Sequence, residues 1–221
     1  MKVLALDTAL HGCSDALLED ARVLGRREDP ALRAQAEQLL PLLTGLLDDA
    51  GMKFADLDLI AVTIGPGSFA GLRVGLAAAR GLALASGRPL VGVSTLAALA
   101  GAVAAAESAG RTVLAAIDAG RGEVYVQWFG DGMAGEPQVL PAAAVASYAP
   151  AGPLLLVGSG GPVLLPSLSG RDCRLSAAPA VIDAVVVGKI AAARGLPPPG
   201  SPPPRPLYIR APDARLPELA P

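Results

Sequence analysis

Residues 65–75 have the residue types of an anion-binding loop. They read Gly-Pro-Gly-Ser-Phe-Ala-Gly-Leu-Arg-Val-Gly and join a predicted strand, residues 57–64, to a predicted helix, residues 72–86. Glycines at such a junction let the backbone turn tightly and bring amide donors near an anion at the helix N-terminus. Three interpretations compete: a Walker loop, a dinucleotide-binding loop, and a structural loop that begins a closely packed helix.

Both nucleotide-binding interpretations lack a residue that they need. A Walker loop, GxxxxGK[ST], requires lysine where Leu72 stands, and without it the phosphates lose their main side-chain cation. A dinucleotide fingerprint requires an acidic residue about 20 positions further on. No Asp or Glu lies between Asp58 and Glu107, so the structural interpretation is favoured.

The predicted helix that follows the loop is apolar almost all round. At 100° per residue one nearly all-small face contains Gly71, Gly75, Ala78, Ala79 and Leu82, whereas Arg73 and Arg80 lie opposite. A helix of this kind is normally covered on more than one side. One side can meet the sheet and another a second helix or a second chain, and the sequence leaves open whether both covers are intramolecular.

Few residues support other catalytic or metal chemistry. His11 is the only histidine, so a two-histidine metal site cannot be built, and we expect His11 to be a solvated turn residue. Cys13 and Cys173 are expected to be reduced thiols. With 18 basic and 20 acidic side chains, the chain lacks the basic excess typical of proteins that hold nucleic acid by themselves. Any bound RNA is therefore expected to be held by something else.

The composition indicates a packed globular protein of one domain or two small lobes, with 52% apolar and 17% charged residues. No stretch is expected to span a membrane, because the small-residue segment 92–106 is shorter than the ~20 apolar residues that a bilayer requires. The first residues reach Asp7 after a few apolar positions, which is not a signal-peptide core. We therefore expect a cytoplasmic location.

The predicted elements follow an α/β pattern. Strands are predicted at residues 3–7, 13–18, 22–27 and 90–93, and an alanine-rich helix at 95–106. The first helix is predicted at residues 31–50, with Asp29 as its N-cap, Pro30 at its first position and Gly51 as its stop. Pro41 is predicted to kink or split this helix.

The opening of the chain recurs in its second half. Residues 3–9 and 114–120 are both apolar strands that end in Asp followed by small residues, and each precedes a turn and another strand. A strand at 154–157, a glycine turn at 158–162 and a helix at 182–194 follow. The recurrence predicts two related lobes, residues 1–105 and 106–221, although a coincidental match stays open.

The chain resembles the TsaB (YeaZ) family. Its 65–75 loop is similar to the family signature GPGSFTGLR-[IV]-G, and further similar segments lie at residues 4–8, 37–43, 89–96, 121–125 and 206–210. Departures are Ala70 in place of the usual threonine, no histidine near Gln35, Asp15 in a usually apolar strand, and the proline-rich tail 196–206.

The resemblance implies a two-lobed actin-like fold of the Hsp70 and sugar-kinase type, in which a ribonuclease H-like unit is duplicated. It also implies a non-catalytic scaffold subunit that binds TsaD, the protein that transfers threonylcarbamoyl to the adenosine beside the tRNA anticodon. The ATPase TsaE joins them, tRNA is contacted only through the complex, and the subunit alone forms a homodimer. No cofactor or metal of its own is implied, since ATP is used by the partners.

The resemblance places the pairing surface on two N-terminal helices, residues 31–50 and 71–86. The implied interface residues are Gly71, Arg73, Gly75, Ala78, Ala79, Leu82, Leu39 and Leu43.

The alternative is an active ATPase or kinase of the actin-like superfamily, with phosphates between the two hairpins and adenosine near the glycine turn. Its candidate residues are Asp7, Thr8, Asp118, Gly120, Gly158 and Gly160. Phosphoryl transfer depends on charge stabilisation, yet residues 7–13 of the first hairpin include no lysine and Arg121 is the sole cation of the second.

Overall fold

The computed structural model describes residues 1–10, 12–20, 22–29 and 35–210. Its strands are β1 (Lys2–Asp7), β2 (Cys13–Glu19), β3 (Arg22–Asp29), β4 (Leu59–Gly65), β5 (Leu90–Ser94), β6 (Thr112–Gly120), β7 (Glu123–Gly130), β8 (Met133–Ala134), β9 (Gln138–Pro141), β10 (Leu154–Val157) and β11 (Cys173–Leu175). Its helices are α1 (Gln35–Asp49), α2 (Phe69–Ser86), α3 (Thr95–Gly101), α4 (Ala105–Ser108), α5 (Val145–Tyr148), α6 (Gly161–Leu164) and α7 (Ala184–Arg194). Short 3₁₀ turns lie at Phe54–Asp56 and Ala142–Ala144.

Two sheets repeat one topology. The first has the order β3-β2-β1-β4-β5 and the second β11-β10-β6-β7-β8, with β9 also on β7. In each sheet an antiparallel hairpin, β1–β2 or β6–β7, carries parallel strands on the side of its first strand. The predicted duplication of an α/β unit is therefore confirmed.

Alternating side chains place helices on both faces of each sheet. Leu4 and Leu6 of β1 pack with α1 and α2, whereas Val3 and Ala5 face the opposite way, where α3 and α7 fill the space between the sheets. On the far face of the second sheet, Leu114 and its neighbours pack with α5 and α6. Burying each such leucine contributes about 1.5–3 kcal/mol to the stability of the fold. The three apolar layers therefore hold the helices in place around the ends of the two hairpins.

The chain does not divide between the sheets as simply as the ranges 1–105 and 106–221 suggest. Helix α7 belongs to the second range but packs on β1 and β2 of the first sheet. Gly188 permits this approach, because a Cβ there would lie 2.4 Å from the Leu18 side chain. Ser14 secures the helix start, since its Oγ donates to the Ile182 carbonyl at 2.9 Å and accepts from the Ala184 amide at 3.1 Å.

Two local predictions about helices need correction, and the predicted helix start lies outside the described residues. Asp29 is the last residue of β3, and Pro30 and residues 31–34, where the first helix was predicted to begin, are not among the described residues, nor is His11. Helix α1 continues through Pro41 and is not split. The helix predicted at 95–106 ends at Gly101, and α4 follows separately.

Helix α2 corrects the expectation that no stretch could span a membrane. By length and composition alone it qualifies, with 18 residues and mean hydropathy 1.2. Here it packs on the first sheet and buries Gly71, Leu72, Gly75, Leu76 and Ala79, and the core helix of an α/β protein passes the same test.

Residues 196–210, called the strap below, return from α7 across the edge of the first sheet without helix or strand, as the proline content predicts. The Leu207 amide donates to the Ile64 carbonyl at 2.7 Å. Pro204 lies against Gly92 of β5, where a Cβ would be 3.0 Å from the Pro204 Cβ. The Tyr208 ring stacks on Phe69 at the start of α2.

Candidate functional site

The glycine loop uses its amides within the fold. Ser68 is the N-cap of α2, and its Oγ accepts from the Gly71 amide at 2.9 Å. The Ser68 amide donates to the Ala9 carbonyl at 2.7 Å, and the Leu72 amide to the Ser68 carbonyl at 3.0 Å. Amides that are committed in this way do not point to an anion, which supports the structural interpretation of the loop.

The small-residue face of α2 lies against the end of β1. A Cβ on Gly71 would lie 2.0 Å from the Thr8 carbonyl oxygen, and one on Gly75 would lie 2.4 Å from Thr8 Oγ1. Thr8 Oγ1 in turn donates to the Gly71 carbonyl at 2.7 Å. These glycines are therefore required for close packing inside the chain.

The interface residues implied by the resemblance are for the most part interior residues. Leu39 and Leu43 of α1 and Ala79 of α2 are buried in the same apolar cluster as Leu4, and Ala78 and Leu82 are half-buried beside it. Gly71 and Gly75 are buried as well. Five of the eight residues therefore have little surface to offer a partner, and their place in an interface stays a prediction. Arg73 alone of the eight is exposed.

A second row of small residues on α2 faces outward. It consists of Ala70, Ala77 and Gly81, which are exposed and share one helix face at spacings of seven and four residues. Val74, between them, is half-buried and packs on the apolar cluster of Leu4. We call the row of three exposed residues the outer stripe. A Cβ on Gly81 would meet no described atom within 4 Å, and on the neighbouring helix α1, Leu40 is 48% exposed. The same spacing was visible in the sequence, but only the packing on Thr8 shows which of the two rows is free.

The first candidate nucleotide-binding pair, Asp7 and Thr8, is committed to the fold. Asp7 Oδ1 accepts from Thr63 Oγ1 at 2.6 Å and from the Ala9 amide at 3.0 Å. Burial raises the pKa of Asp7 to about 6, although both hydrogen bonds oppose the shift. A cavity of about 210 Å³ beside it is also lined by Glu28 and Asp29, an acidic setting that repels phosphate.

The other candidate nucleotide-binding residues lie in two neighbouring turns, one at the end of β6 and one after β10. Asp118 Oδ1 accepts from the Gly120 amide at 2.8 Å. The Gly160 amide donates to the Ala116 carbonyl at 3.0 Å. Gly158 has φ +95°, and a Cβ there would lie 2.3 Å from the same carbonyl oxygen. Gly158 and Gly160 thus allow the backbone of their turn to lie close against β6. The same glycine pattern is also typical of a phosphate-binding loop, so the sequence alone could not distinguish the two.

Asp15 is a buried carboxyl group that the sequence marked as unusual. It lies on β2 opposite Leu6, and neither carboxyl oxygen has a hydrogen-bond partner within the described structure. Burial first, and the nearby Asp7 second, raise its pKa to about 8. Asp15 is therefore protonated at neutral pH.

The residues described here offer no metal site. No group of three His, Cys, Asp or Glu side chains among them could hold an ion. Both cysteines are unpaired, as expected. Burial raises the pKa of Cys13 to about 11, which makes it an unreactive thiol at neutral pH.

The sequence of the chain is similar to proteins of tRNA threonylcarbamoyladenosine synthesis. Residues 29–154 match the sequence model of the family described as TsaD, tRNA N6-adenosine threonylcarbamoyltransferase. The tRNA threonylcarbamoyladenosine biosynthesis protein TsaB of Escherichia coli is 42% identical over 125 residues, which are 57% of this chain and 53% of that protein. The chain thus matches about half the length of that curated relative.

Solved structures match over nearly the whole chain. A Pseudomonas aeruginosa protein described as similar to the peptidase YEAZ superposes with a TM-score of 0.78 at 33% identity, covering 95% of this chain and 99% of that one. YeaZ from Pseudomonas aeruginosa gives 0.74 at 35% identity, covering 88% and 93%.

The fold is shared more widely. The ROK hexokinase of Thermus thermophilus matches with a TM-score of 0.55 at 16% identity over 88% of this chain, which shows the two-lobed actin-like fold alone. Because the matches to the two Pseudomonas aeruginosa chains combine more than 30% identity with nearly complete coverage, this chain belongs to the TsaB (YeaZ) family.

Proposed function

We propose that this chain is a non-catalytic subunit in tRNA threonylcarbamoyladenosine synthesis and that it acts by binding TsaD through the outer stripe of α2. The observation that carries the proposal is the outer stripe itself, an exposed row of small residues that includes Gly81. Small side chains allow a partner helix to approach at the short end of the 8–10 Å range of helix packing. Leu40 on the neighbouring helix α1 is a further exposed apolar side chain.

The match to the TsaD family model supports TsaD as the occupant of this face. The matched residues 29–154 include both α1 and α2, so a TsaD chain has helices of common origin with these two. Related helix pairs can dock about a two-fold axis, as identical ones do in an isologous dimer. The same reasoning supports a homodimer of this chain when TsaD is absent. An excess of TsaD would then displace the second copy of the chain from the shared surface.

The hydrogen bonds that polar groups near the two hairpin ends make within the chain support a non-catalytic role. The Thr8 hydroxyl, the Gly160 amide and three loop amides, those of Ser68, Gly71 and Leu72, bond within the chain. The cavity beside Asp7 is acidic. We propose accordingly that the chain requires no cofactor, that ATP is used by TsaD and TsaE, and that the complex acts in the cytoplasm.

Co-purification with TsaD from the same organism tests the proposal. Ala77→Arg places a long charged side chain in the outer stripe and should reduce recovery of TsaD at least tenfold, because a bulky group in a close helix contact costs about 1–3 kcal/mol and the buried charge adds to this. Ala106→Arg, an exposed alanine of α4, is the matched control and should bind normally. The second readout is threonylcarbamoyladenosine in tRNA made by the reconstituted proteins.

Two results would overturn the proposal. If Ala77→Arg bound TsaD as the parent chain does, the outer stripe would not be the interface. If the isolated chain modified tRNA without TsaD, it would be an enzyme in its own right.

A further inference from the structure

The basic side chains of this protein are unevenly distributed. Two segments, residues 59–106 and 184–210, contain seven of the eighteen basic side chains, and all twenty acidic side chains lie elsewhere. The first segment includes α2 and β5, and the second includes α7 and the strap. A net charge of −2 therefore conceals two stretches that are wholly cationic.

The fold brings the two cationic stretches together. The strap runs antiparallel to α2: Tyr208 lies at Phe69 near the helix start, and the Pro204 carbonyl accepts from Arg80 further along. At the helix end, prolines of the strap and Arg88 line a common groove of about 550 Å³. Arg194 donates to the Gly92 carbonyl of β5 at 3.0 Å. Arg88 itself is half-buried and donates to the Ala55 carbonyl. We call the surface of the exposed Arg73, Arg80, Arg194 and Arg205 the basic face.

The guanidinium groups of the basic face retain N–H donors beyond those in the described hydrogen bonds. Arg80 and Arg194 each make their described hydrogen bond through one nitrogen, and a guanidinium has five N–H donors. Arg73 and Arg205 are exposed. Such groups are suited to phosphate oxygens, which guanidinium binds in a bidentate manner.

Two aromatic rings lie at one end of the basic face. Phe69 is 58% and Tyr208 51% exposed, and their rings stack with centroids 5.9 Å apart and 30° between planes. The Arg73 guanidinium carbon lies 3.6 Å from the Phe69 centroid. Exposed aromatic rings next to cations are the arrangement by which proteins stack unpaired bases and neutralise the phosphates between them.

We propose that the basic face contacts RNA directly, with phosphates on its arginines and an unpaired base against the Phe69–Tyr208 pair. The inference rests on the proposed function, since the complex acts on tRNA, and it extends that function by giving this chain its own part in holding the substrate. RNA is favoured over an acidic protein because an exposed pair of rings lies directly beside an arginine at the end of a row of cations, and single-strand binding uses rings and cations together.

Filter binding with an unmodified tRNA transcript that has adenosine 3′ to its anticodon tests the inference, using the chain–TsaD complex and the isolated chain between 50 and 200 mM salt. Arg73→Gln combined with Arg205→Gln should lower the slope of log affinity against log salt by about 1 for each arginine. Tyr208→Ser should weaken binding about tenfold, which lies within the range for the loss of one base stack. Arg22→Gln, an exposed arginine of β3, is the matched control and should change neither quantity.

The outcomes separate this inference from the proposed function. If the arginine and Tyr208→Ser variants bind tRNA like the parent while TsaD still co-purifies, the basic face does not bind RNA and the scaffold function stands. If the same variants lose TsaD instead, the face is a protein interface. If heparin competes as strongly as tRNA and Tyr208→Ser has no effect, the face attracts polyanions without reading a base, which also overturns the proposal. Failure of the Ala77→Arg test leaves the isolated-chain measurement valid.

Discussion

Thr8 and Gly71 are joined across 63 residues of sequence, because the Thr8 hydroxyl donates to the Gly71 carbonyl at 2.7 Å at the point where α2 meets the end of β1. This contact decides the orientation of α2. It turns Gly71 and Gly75 inward and leaves Ala77 and Gly81 outside.

Gly71→Ala is therefore expected to destabilise the fold, whereas Gly81→Ala is not. The new Cβ of Gly71→Ala would lie 2.0 Å from a backbone oxygen, which costs about 1–3 kcal/mol or more. Gly81 has open space around the added methyl group, and Gly81→Ala should stabilise α2 by about 0.8–1 kcal/mol. Urea unfolding measures both. Equal effects of the two substitutions would contradict the assigned orientation.

The stability of the chain should fall as pH rises from about 4 to 8. Asp15 has its pKa raised from 3.8 to about 8, and Asp7 to about 6. The folded state thus holds protons that the unfolded state has released, and the free energy of unfolding declines by up to ~1.4 kcal/mol per pH unit for each proton. The contribution is complete below pH 4 and is lost as pH passes the folded pKa values.

Asp15→Asn isolates this effect. It removes the ionisation of Asp15 and should flatten the pH dependence of urea unfolding measured at pH 5, 7 and 9, leaving the smaller decline due to Asp7. Asp48→Asn on α1, a solvent-exposed position, is the control and should leave the profile unchanged. An unaltered profile in Asp15→Asn would show that the carboxyl group is not buried without a partner.

Ser14→Ala should loosen α7. The substitution leaves the Ala184 amide and the Ile182 carbonyl without the Ser14 hydroxyl, and an unsatisfied buried polar group costs about 1–3 kcal/mol. Hydrogen exchange should rise in α7 before it rises in β1. Ser201→Ala removes an exposed hydroxyl bond to the Pro198 carbonyl and should alter neither stability nor exchange, so protection that stays the same in both variants would refute the role of Ser14.

Calorimetry with ATP and magnesium on the isolated chain should show no turnover. The groups that a kinase would direct at phosphate, the Thr8 hydroxyl and the Gly160 amide, already have partners within the chain. Micromolar affinity together with nucleotide hydrolysis would instead support an active ATPase of the actin-like superfamily, and Thr8→Ala would then be expected to reduce that hydrolysis.

Much of the architecture follows from local pattern. The strand at residues 154–157 coincides with β10, and the others that were predicted differ from the structure by a few residues at their ends, because period-two burial is a local property. The short elements β8, β9, β11, α5 and α6 were missed, since two to four residues carry too little periodicity.

The sequence by itself determined the hairpin that occurs twice, the glycine-rich start of α2 and the presence of a single histidine, since each depends on residue type and short spacing. Tertiary structure alone decided which side of α2 is free, that α7 returns to the first sheet, and that the cations of α2 and the strap share one surface. These depend on contacts between residues far apart in the chain, such as Thr8 with Gly71 and Phe69 with Tyr208. No periodicity within a single segment encodes such contacts.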